Sequence, residues 1–142
     1  AVEREDGPQE EPAIAPNAPK MRILLVDDDA EVRTVTAAYL NEMGHRVVEA
    51  ADGLSALDIL KADDQIDVLI ADFAMPGMTG TDLADKAREI RSDLSILLVT
   101  GYADPKRLPN GYLMLHKPFS RADLAAKVTA ATRWEQDRSS SI

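Results

Sequence analysis

Cysteine is absent from this chain of 142 residues, and histidine occurs only at positions 45 and 116. The absence of cysteine excludes a disulfide framework, a thiolate metal site and a thiol nucleophile. Two separated histidines are too few for a zinc site. No apolar run approaches the length that spans a membrane, and no signal peptide is recognisable. We therefore expect a cytoplasmic protein, with no membrane contact by this segment.

Basic residues are outnumbered by acidic ones. The 16 Lys and Arg residues face 25 Asp and Glu residues, which gives a formal net charge of −9. This excess of negative charge argues against a protein that binds nucleic acid or a membrane surface. Apolar residues make up 45% of the chain, so most of it is expected to fold as one domain.

Residues 1–20 differ in composition from the rest of the chain. They hold four of the eight prolines and five acidic residues, and few large apolar side chains. Such a segment cannot bury enough surface to offset its ordering entropy, so we predict a disordered linker. A chain that opens on a linker without Met fits a piece of something longer, and it equally fits a short protein from which the initiator Met has been removed. We expect the folded domain at 21–134 and a polar tail at 135–142.

Five apolar segments alternate with amphipathic ones in the remainder of the chain. The alternation predicts an α/β fold, a doubly wound five-stranded parallel sheet with flavodoxin-like strand order 2-1-3-4-5. The predicted inner faces of the helices include Val35, Leu54 and Ile90. A short or irregular fourth helix is expected between Gly101 and Gly111, because prolines interrupt that segment. The predicted strands are 21–26, 45–50, 68–72, 94–100 and 112–116, and the other helices are 30–43, 54–61, 79–91 and one that starts after Ser120.

Four of the five predicted strands end at residues whose side chains could take part in catalysis or binding. These residues are Asp27 and Asp28, Asp72, Thr100 and Lys117. Parallel strands present their carboxyl ends at one edge, where doubly wound sheets bind ligands, so we expect these side chains to converge. Each has a plain structural explanation as a helix cap, a turn residue or a solvated lysine. The occurrence of all of them at one edge favours a functional site.

Carboxylates that converge repel one another, by about 4 kcal/mol for each close pair at an effective dielectric of about 20. A hard divalent cation such as Mg²⁺ removes that cost. A lysine and a threonine hydroxyl could hold phosphoryl oxygens beside the metal. Together these groups are suited to phosphoryl transfer onto a carboxylate.

Four runs of sequence occur in a characteristic order: Leu24-Leu25-Val26-Asp27-Asp28-Asp29, Ile70-Ala71-Asp72-Phe73-Ala74-Met75-Pro76-Gly77-Met78-Thr79-Gly80, Leu98-Val99-Thr100-Gly101 and His116-Lys117-Pro118-Phe119. Over about residues 21–133 they resemble the receiver domain of two-component response regulators. The resemblance implies that Asp72 accepts a phosphoryl group from a phosphohistidine of a histidine kinase or a histidine phosphotransfer protein. It also implies Mg²⁺ ligation by Asp28, Asp72 and the backbone carbonyl of Ala74, with Asp27 acting through water.

The resemblance further implies that Thr100 bonds the phosphoryl group and that Lys117 pairs with it. The Lys117–Pro118 peptide bond is often cis in this family. Two departures stand out: Met114 replaces a common aromatic residue, and the segment between Thr100 and Lys117 is short. Receivers with a short segment here resemble those of hybrid histidine kinases. The usual dimer surface of response regulators uses the fourth helix, which this segment would form, so we expect a monomer. Alone, such a module only phosphorylates and dephosphorylates itself.

Three alternatives stay open. The chain could be a stand-alone regulator or a receiver that works without phosphorylation. It is also similar, through Asp27, Thr100 and Lys117, to haloacid-dehalogenase-type phosphatases, in which Asp27 would be the nucleophile and Asp72 would have no role. Within the receiver interpretation, small Ala74 and covering Tyr102 predict slow loss of the phosphoryl group.

Overall fold

A computed structural model describes residues 20–101 and 111–140. Within these ranges lie five strands and four helices, which alternate along the chain as far as the fourth strand. Residues 1–19 of the predicted linker lie outside the described residues, and so do residues 102–110, where the fourth helix is predicted. The elements are β1 (Arg22–Val26), α1 (Ala30–Glu42), β2 (Arg46–Ala50), α2 (Gly53–Ala62), β3 (Val68–Asp72), α3 (Gly80–Ile90), β4 (Ser95–Thr100), β5 (Leu113–His116) and α4 (Arg121–Ser140).

All strand pairs are parallel, and the order across the sheet is β2-β1-β3-β4-β5. The predicted order 2-1-3-4-5 is therefore confirmed. Every residue of β3 and of β4 is buried, as expected for central strands covered on both faces. Alternate residues of β1 enter two different apolar clusters: Leu24 and Val26 pack towards α2 and α3, and Ile23 and Leu25 pack towards α1 and α4.

Side-chain caps fix the start of each helix close to the edge of the sheet. The Asp29 carboxylate accepts the N–H of Glu31 at 3.0 Å and so begins α1 directly after β1. Thr79 and Asp82 form a capping box at α3. Ser120 and Asp123 exchange hydrogen bonds of 3.1 and 3.0 Å at the start of α4. Short, capped loops therefore surround the carboxyl ends of the strands.

Three predicted inner-face residues are exposed instead: Val35 at 50%, Leu54 at 70% and Ile90 at 36%. In α2 the buried positions are Gly53, Ala56, Leu57 and Leu60, which follow the spacing i, i+3, i+4 and i+7. Leu54 falls outside this stripe, because only a narrow face of a helix is covered by a sheet.

The last helix reaches Ser140, beyond the predicted start of the tail at residue 135. The segment contains neither Gly nor Pro, and several of its residues favour helix, so no local signal ends α4 earlier. Across the described ranges, no helix combines the length and apolarity that crossing a membrane requires.

Candidate metal centre and phosphoacceptor site

Three carboxylates meet where β1 and β3 end. Val26 lies beside Ala71 in the sheet, so Asp27, directly after β1, and Asp72, the last residue of β3, lie at the same level of two neighbouring strands. One oxygen from each of Asp27, Asp28 and Asp72 lies within 4.8 Å of the other two. The predicted convergence of the acids is found. Such a set of oxygen donors fits a hard divalent cation of the Mg²⁺ type.

Lys117 brings a cation to these acids from the end of β5. Its Nζ lies 3.1 Å from Asp72 Oδ2 and 3.9 Å from Asp27 Oδ2. Its N–H donates to the carbonyl oxygen of Thr100 at 2.8 Å, which extends the β4–β5 pairing past the last strand residue. The Lys117–Pro118 bond is cis, as the resemblance implied. One ammonium group against three carboxylates leaves an excess of negative charge for a metal to neutralise.

The Asp27 carboxyl group is the most crowded member of the cluster. The residue is only 5% exposed, and its Oδ1 accepts the N–H of Asp29 at 2.9 Å. Burial raises the pKa of Asp27, and the neighbouring Asp72 charge raises it further; the Asp29 N–H and the Lys117 ammonium act in the opposite direction. The electrostatics therefore favour binding of positive charge beside Asp27.

Asp72 is held at both carboxylate oxygens. Its Oδ1 accepts the N–H of Ala74 at 3.2 Å, and its Oδ2 pairs with Lys117. Gly80, at the start of α3, approaches so closely that a Cβ atom there would lie 2.5 Å from the Asp72 carbonyl oxygen. Its N–H donates to the Phe73 carbonyl oxygen at 2.9 Å. The helix start thus fixes the loop that follows Asp72.

The remaining predicted residues lie around this cluster. Thr100 is the last residue of β4 and is 1% exposed, one position beyond the partner of Asp72 in the sheet. Ala74 is exposed two residues after Asp72, and Met114 packs against the apolar cluster on the α2 and α3 side. Tyr102, predicted to cover the site, lies outside the described residues.

Two residues beside the site were not identified from the sequence: Arg33 and Glu49. The Arg33 Nη1 donates to the backbone carbonyl oxygen of Asp27 at 2.6 Å, and its Nε lies 3.1 Å from Glu49 Oε1 on β2. A signal existed, because the helix dipole disfavours a cation close to the N-terminus of a helix, and Arg33 is the fourth residue of α1. That anomaly calls for a local acceptor.

A groove of about 540 Å³ runs along the outer side of the cluster, between α1 and the segment after β5. Lys117 lines this groove as well as contacting Asp72, so the groove adjoins the acids. Its other lining residues are Glu31, Val32, Val35, Thr36, Tyr39, Pro118 and Phe119.

Residues 23–129 match the family described as the response regulator receiver domain. With the parallel sheet and the acids at its edge, this match assigns the chain to the receiver domain family of two-component signalling. The assignment decides against the phosphatase alternative. Mg²⁺ binding at an acidic cluster is general in this family, and the cluster here has the donors for it.

Similar proteins include both small regulators and kinases. The response regulator receiver protein CpdR of Brucella abortus is 34% identical over 75% of this chain and 92% of its own length. The sensor kinase CckA of the same organism is 35% identical over 75% of this chain, but the match covers only 12% of the kinase. A crystal structure of the receiver domain from the hybrid histidine kinase CckA has a TM-score of 0.68 and 38% identity, covering 78% of this chain and 98% of that one.

Proposed function

We propose that this domain, with boundaries near residues 21 and 134, takes a phosphoryl group from a phosphohistidine onto Asp72. The observation that carries the proposal is the position of Asp72, at the end of a central strand, within 4.8 Å of two further carboxylates and 3.1 Å from Lys117. Asp27 shares the burial and the acidic neighbours, but its Oδ2 lies farther from the Lys117 ammonium, at 3.9 Å, and its Oδ1 accepts the Asp29 N–H.

In the proposed step an oxygen of Asp72 attacks phosphorus while the bond from phosphorus to the imidazole nitrogen breaks. The electron pair returns to the ring, and the product is an acyl phosphate. Asp28, Asp72 and the carbonyl of Ala74 would hold Mg²⁺, with Asp27 acting through water. When bound, the metal would neutralise charge on the phosphoryl oxygens. Lys117 would exchange its pairing with Asp72 for one with the phosphoryl group, and buried Thr100 would donate its hydroxyl.

The phosphohistidine is proposed to enter over the groove between α1 and residues 117–119. The groove has an apolar lining that includes Val35, half exposed, and it shares Lys117 with the acid cluster. A helix that carries a phosphohistidine could cover Val35 and bring its imidazole to the end of β3. The occupant is thus a helix of a histidine kinase core or of a histidine phosphotransfer protein.

The wider context is proposed to be the receiver of a hybrid histidine kinase, on the strength of the similarity to the CckA receiver domain. The similarity to CpdR, nearly all of which is matched, favours a single-domain regulator as the alternative. Because a histidine kinase takes its phosphoryl group from ATP, a cytoplasmic nucleotide, either context keeps the domain in the cytoplasm.

Incubation with phosphoramidate and Mg²⁺, followed by intact-mass measurement, tests the chemistry. We expect one phosphoryl adduct on the natural sequence and on Asp58→Asn, a charge-matched control on the exposed face of α2, and none on Asp72→Asn. An adduct that persists in Asp72→Asn would refute the assignment. No adduct on any form, under conditions that label a known receiver, would favour a receiver that works without phosphorylation.

The groove is tested separately with a panel of phosphorylated histidine phosphotransfer domains. Val35→Glu should abolish transfer from the domain that phosphorylates the natural sequence, while labelling by phosphoramidate continues. Thr34→Glu, an exposed neighbour on α1 that does not line the groove, should retain both reactions. Equal transfer to the two variants would place the docking surface elsewhere.

The decay of the adduct tests the role of Ala74, since Ala74→Asn should shorten its lifetime.

A further inference from the structure

Arg33 reaches from α1 to the backbone of the acid cluster. Its side chain is 18% exposed, and its Nη1 donates to the Asp27 carbonyl oxygen at 2.6 Å. Glu49, on the edge strand β2, holds the Nε of the same guanidinium at 3.1 Å. The pair with Glu49 is partly exposed and adds little energy by itself, but it orients the guanidinium towards Asp27.

The two peptide groups that flank Asp28 are both fixed by these contacts. The carbonyl of Asp27 belongs to the planar peptide that precedes Asp28, and Arg33 binds it. The N–H of Asp29 belongs to the peptide that follows Asp28, and the Asp27 carboxylate accepts it at 2.9 Å. The exposed side chain of Asp28 therefore projects from a backbone that is held on both sides.

We propose that Arg33 is a positioning residue for the metal site: through the Asp27 carbonyl it sets the orientation of Asp28 and so determines the affinity for Mg²⁺. The inference rests on the proposed role of Asp28 as a metal ligand. A residue that orients a ligand typically changes metal affinity by about tenfold or more when it is lost.

The positive charge of Arg33 would have the opposite effect on Mg²⁺ affinity from the positioning role proposed here. A cation beside a metal site repels the metal, so if Arg33 acted only by its charge, Arg33→Ala would tighten Mg²⁺ binding and Arg33→Lys would leave it unchanged. If Arg33 acts by position, both variants weaken binding. A lysine keeps the charge but cannot bond the carbonyl and Glu49 with one planar group.

Isothermal titration with MgCl₂ at fixed pH and ionic strength measures the Mg²⁺ affinity of each variant. Urea unfolding in parallel measures the stability of each variant. We expect about tenfold weaker Mg²⁺ binding in Arg33→Ala and a smaller loss in Arg33→Lys. The matched control is Arg22→Ala, because Arg22 forms a similar ion pair with Asp63, at 2.7 Å, at the opposite end of β1. It should lower stability without changing Mg²⁺ affinity.

Unchanged or tighter Mg²⁺ binding in Arg33→Ala would overturn the inference, as would an equal loss of affinity in Arg22→Ala. If Arg33→Ala does not fold, Arg33→Lys decides alone, because unchanged affinity there contradicts positioning. Asp28→Asn separates this inference from the proposed function. If the natural sequence binds Mg²⁺ no better than Asp28→Asn, the metal site itself fails; if only the Arg33 variants bind normally, the positioning role fails.

Discussion

Asp28 is the exposed member of the acid cluster, and Asp27 and Asp72 are buried beside it. Its oxygen lies within 4.8 Å of oxygens of Asp27 and Asp72, and among the described residues no cation forms an ion pair with it. The metal-free protein therefore carries two repulsions at Asp28, and the single ammonium group of Lys117, paired with the other two carboxylates, offsets them only in part. We expect Asp28→Asn to stabilise the protein in the absence of Mg²⁺.

The magnitude follows from the distance. Asp28 is exposed, so the dielectric constant near water applies, and each charge pair at about 4.8 Å costs a little under 1 kcal/mol. Ionic strength of about 0.1 M screens part of both interactions. The expected gain in the free energy of unfolding is about 1 kcal/mol for Asp28→Asn, or a rise of a few degrees in melting temperature.

Urea unfolding in EDTA and in Mg²⁺ measures the effect. In EDTA, Asp28→Asn should be more stable than the natural sequence; in saturating Mg²⁺ the order should reverse, because the variant has lost a ligand. Asp58→Asn makes the same change in net charge on α2, away from the acid cluster. The difference in stability between this variant and the natural sequence should therefore be the same in EDTA and in Mg²⁺. A loss of stability in EDTA for Asp28→Asn would refute the reasoning, since it would mean that Asp28 is held by an attraction.

Two further predictions follow from close contacts elsewhere. Gly80→Ala places a Cβ atom 2.5 Å from the carbonyl oxygen of Asp72, so it should cost about 2 kcal/mol in urea unfolding and weaken Mg²⁺ binding; unchanged stability would contradict that contact. His45 accepts the Met21 N–H at Nδ1, and burial, with a smaller contribution from Lys20, lowers its pKa. The stability that comes from neutral His45 is complete above the unfolded pKa and is lost as pH falls through the lowered folded pKa. His45→Gln should therefore reduce the loss of stability between pH 7 and pH 5, and an identical pH profile would contradict this.

The strand order and the acid cluster could be predicted from the sequence because both follow from periodicity. Apolar runs predict where the strands lie. A functional side chain stands at the end of four of these runs: Asp27, Asp72, Thr100 and Lys117. In a parallel sheet that position determines which edge a side chain occupies, whatever its rotamer. The convergence of these residues therefore needed no knowledge of side-chain geometry.

The role of Arg33 and the groove could not be predicted in this way, because both depend on contacts between elements distant in sequence. Arg33 bonds a backbone carbonyl, a partner that every residue offers, and its ion-pair partner is Glu49 on the next strand. The inner face of α2 was also misjudged, because spacing at i, i+3 and i+6 around Leu54 competes with the stripe that begins at Gly53. Helical periodicity alone does not choose between two such stripes.

The reversal of stability between the natural sequence and Asp28→Asn should occur at a Mg²⁺ concentration set by the metal affinity. A ligand that binds only the folded state stabilises it by RT ln(1 + [L]/Kd). An initial deficit of about 1 kcal/mol, from the repulsions at Asp28, is offset when Mg²⁺ reaches about four to five times its Kd. The Kd comes independently from titration calorimetry, so the crossing point has no adjustable parameter. A crossing at a much higher multiple would mean that Asp28→Asn still binds Mg²⁺ or that the repulsion is stronger than an exposed carboxylate allows, and titration of the variant would distinguish the two.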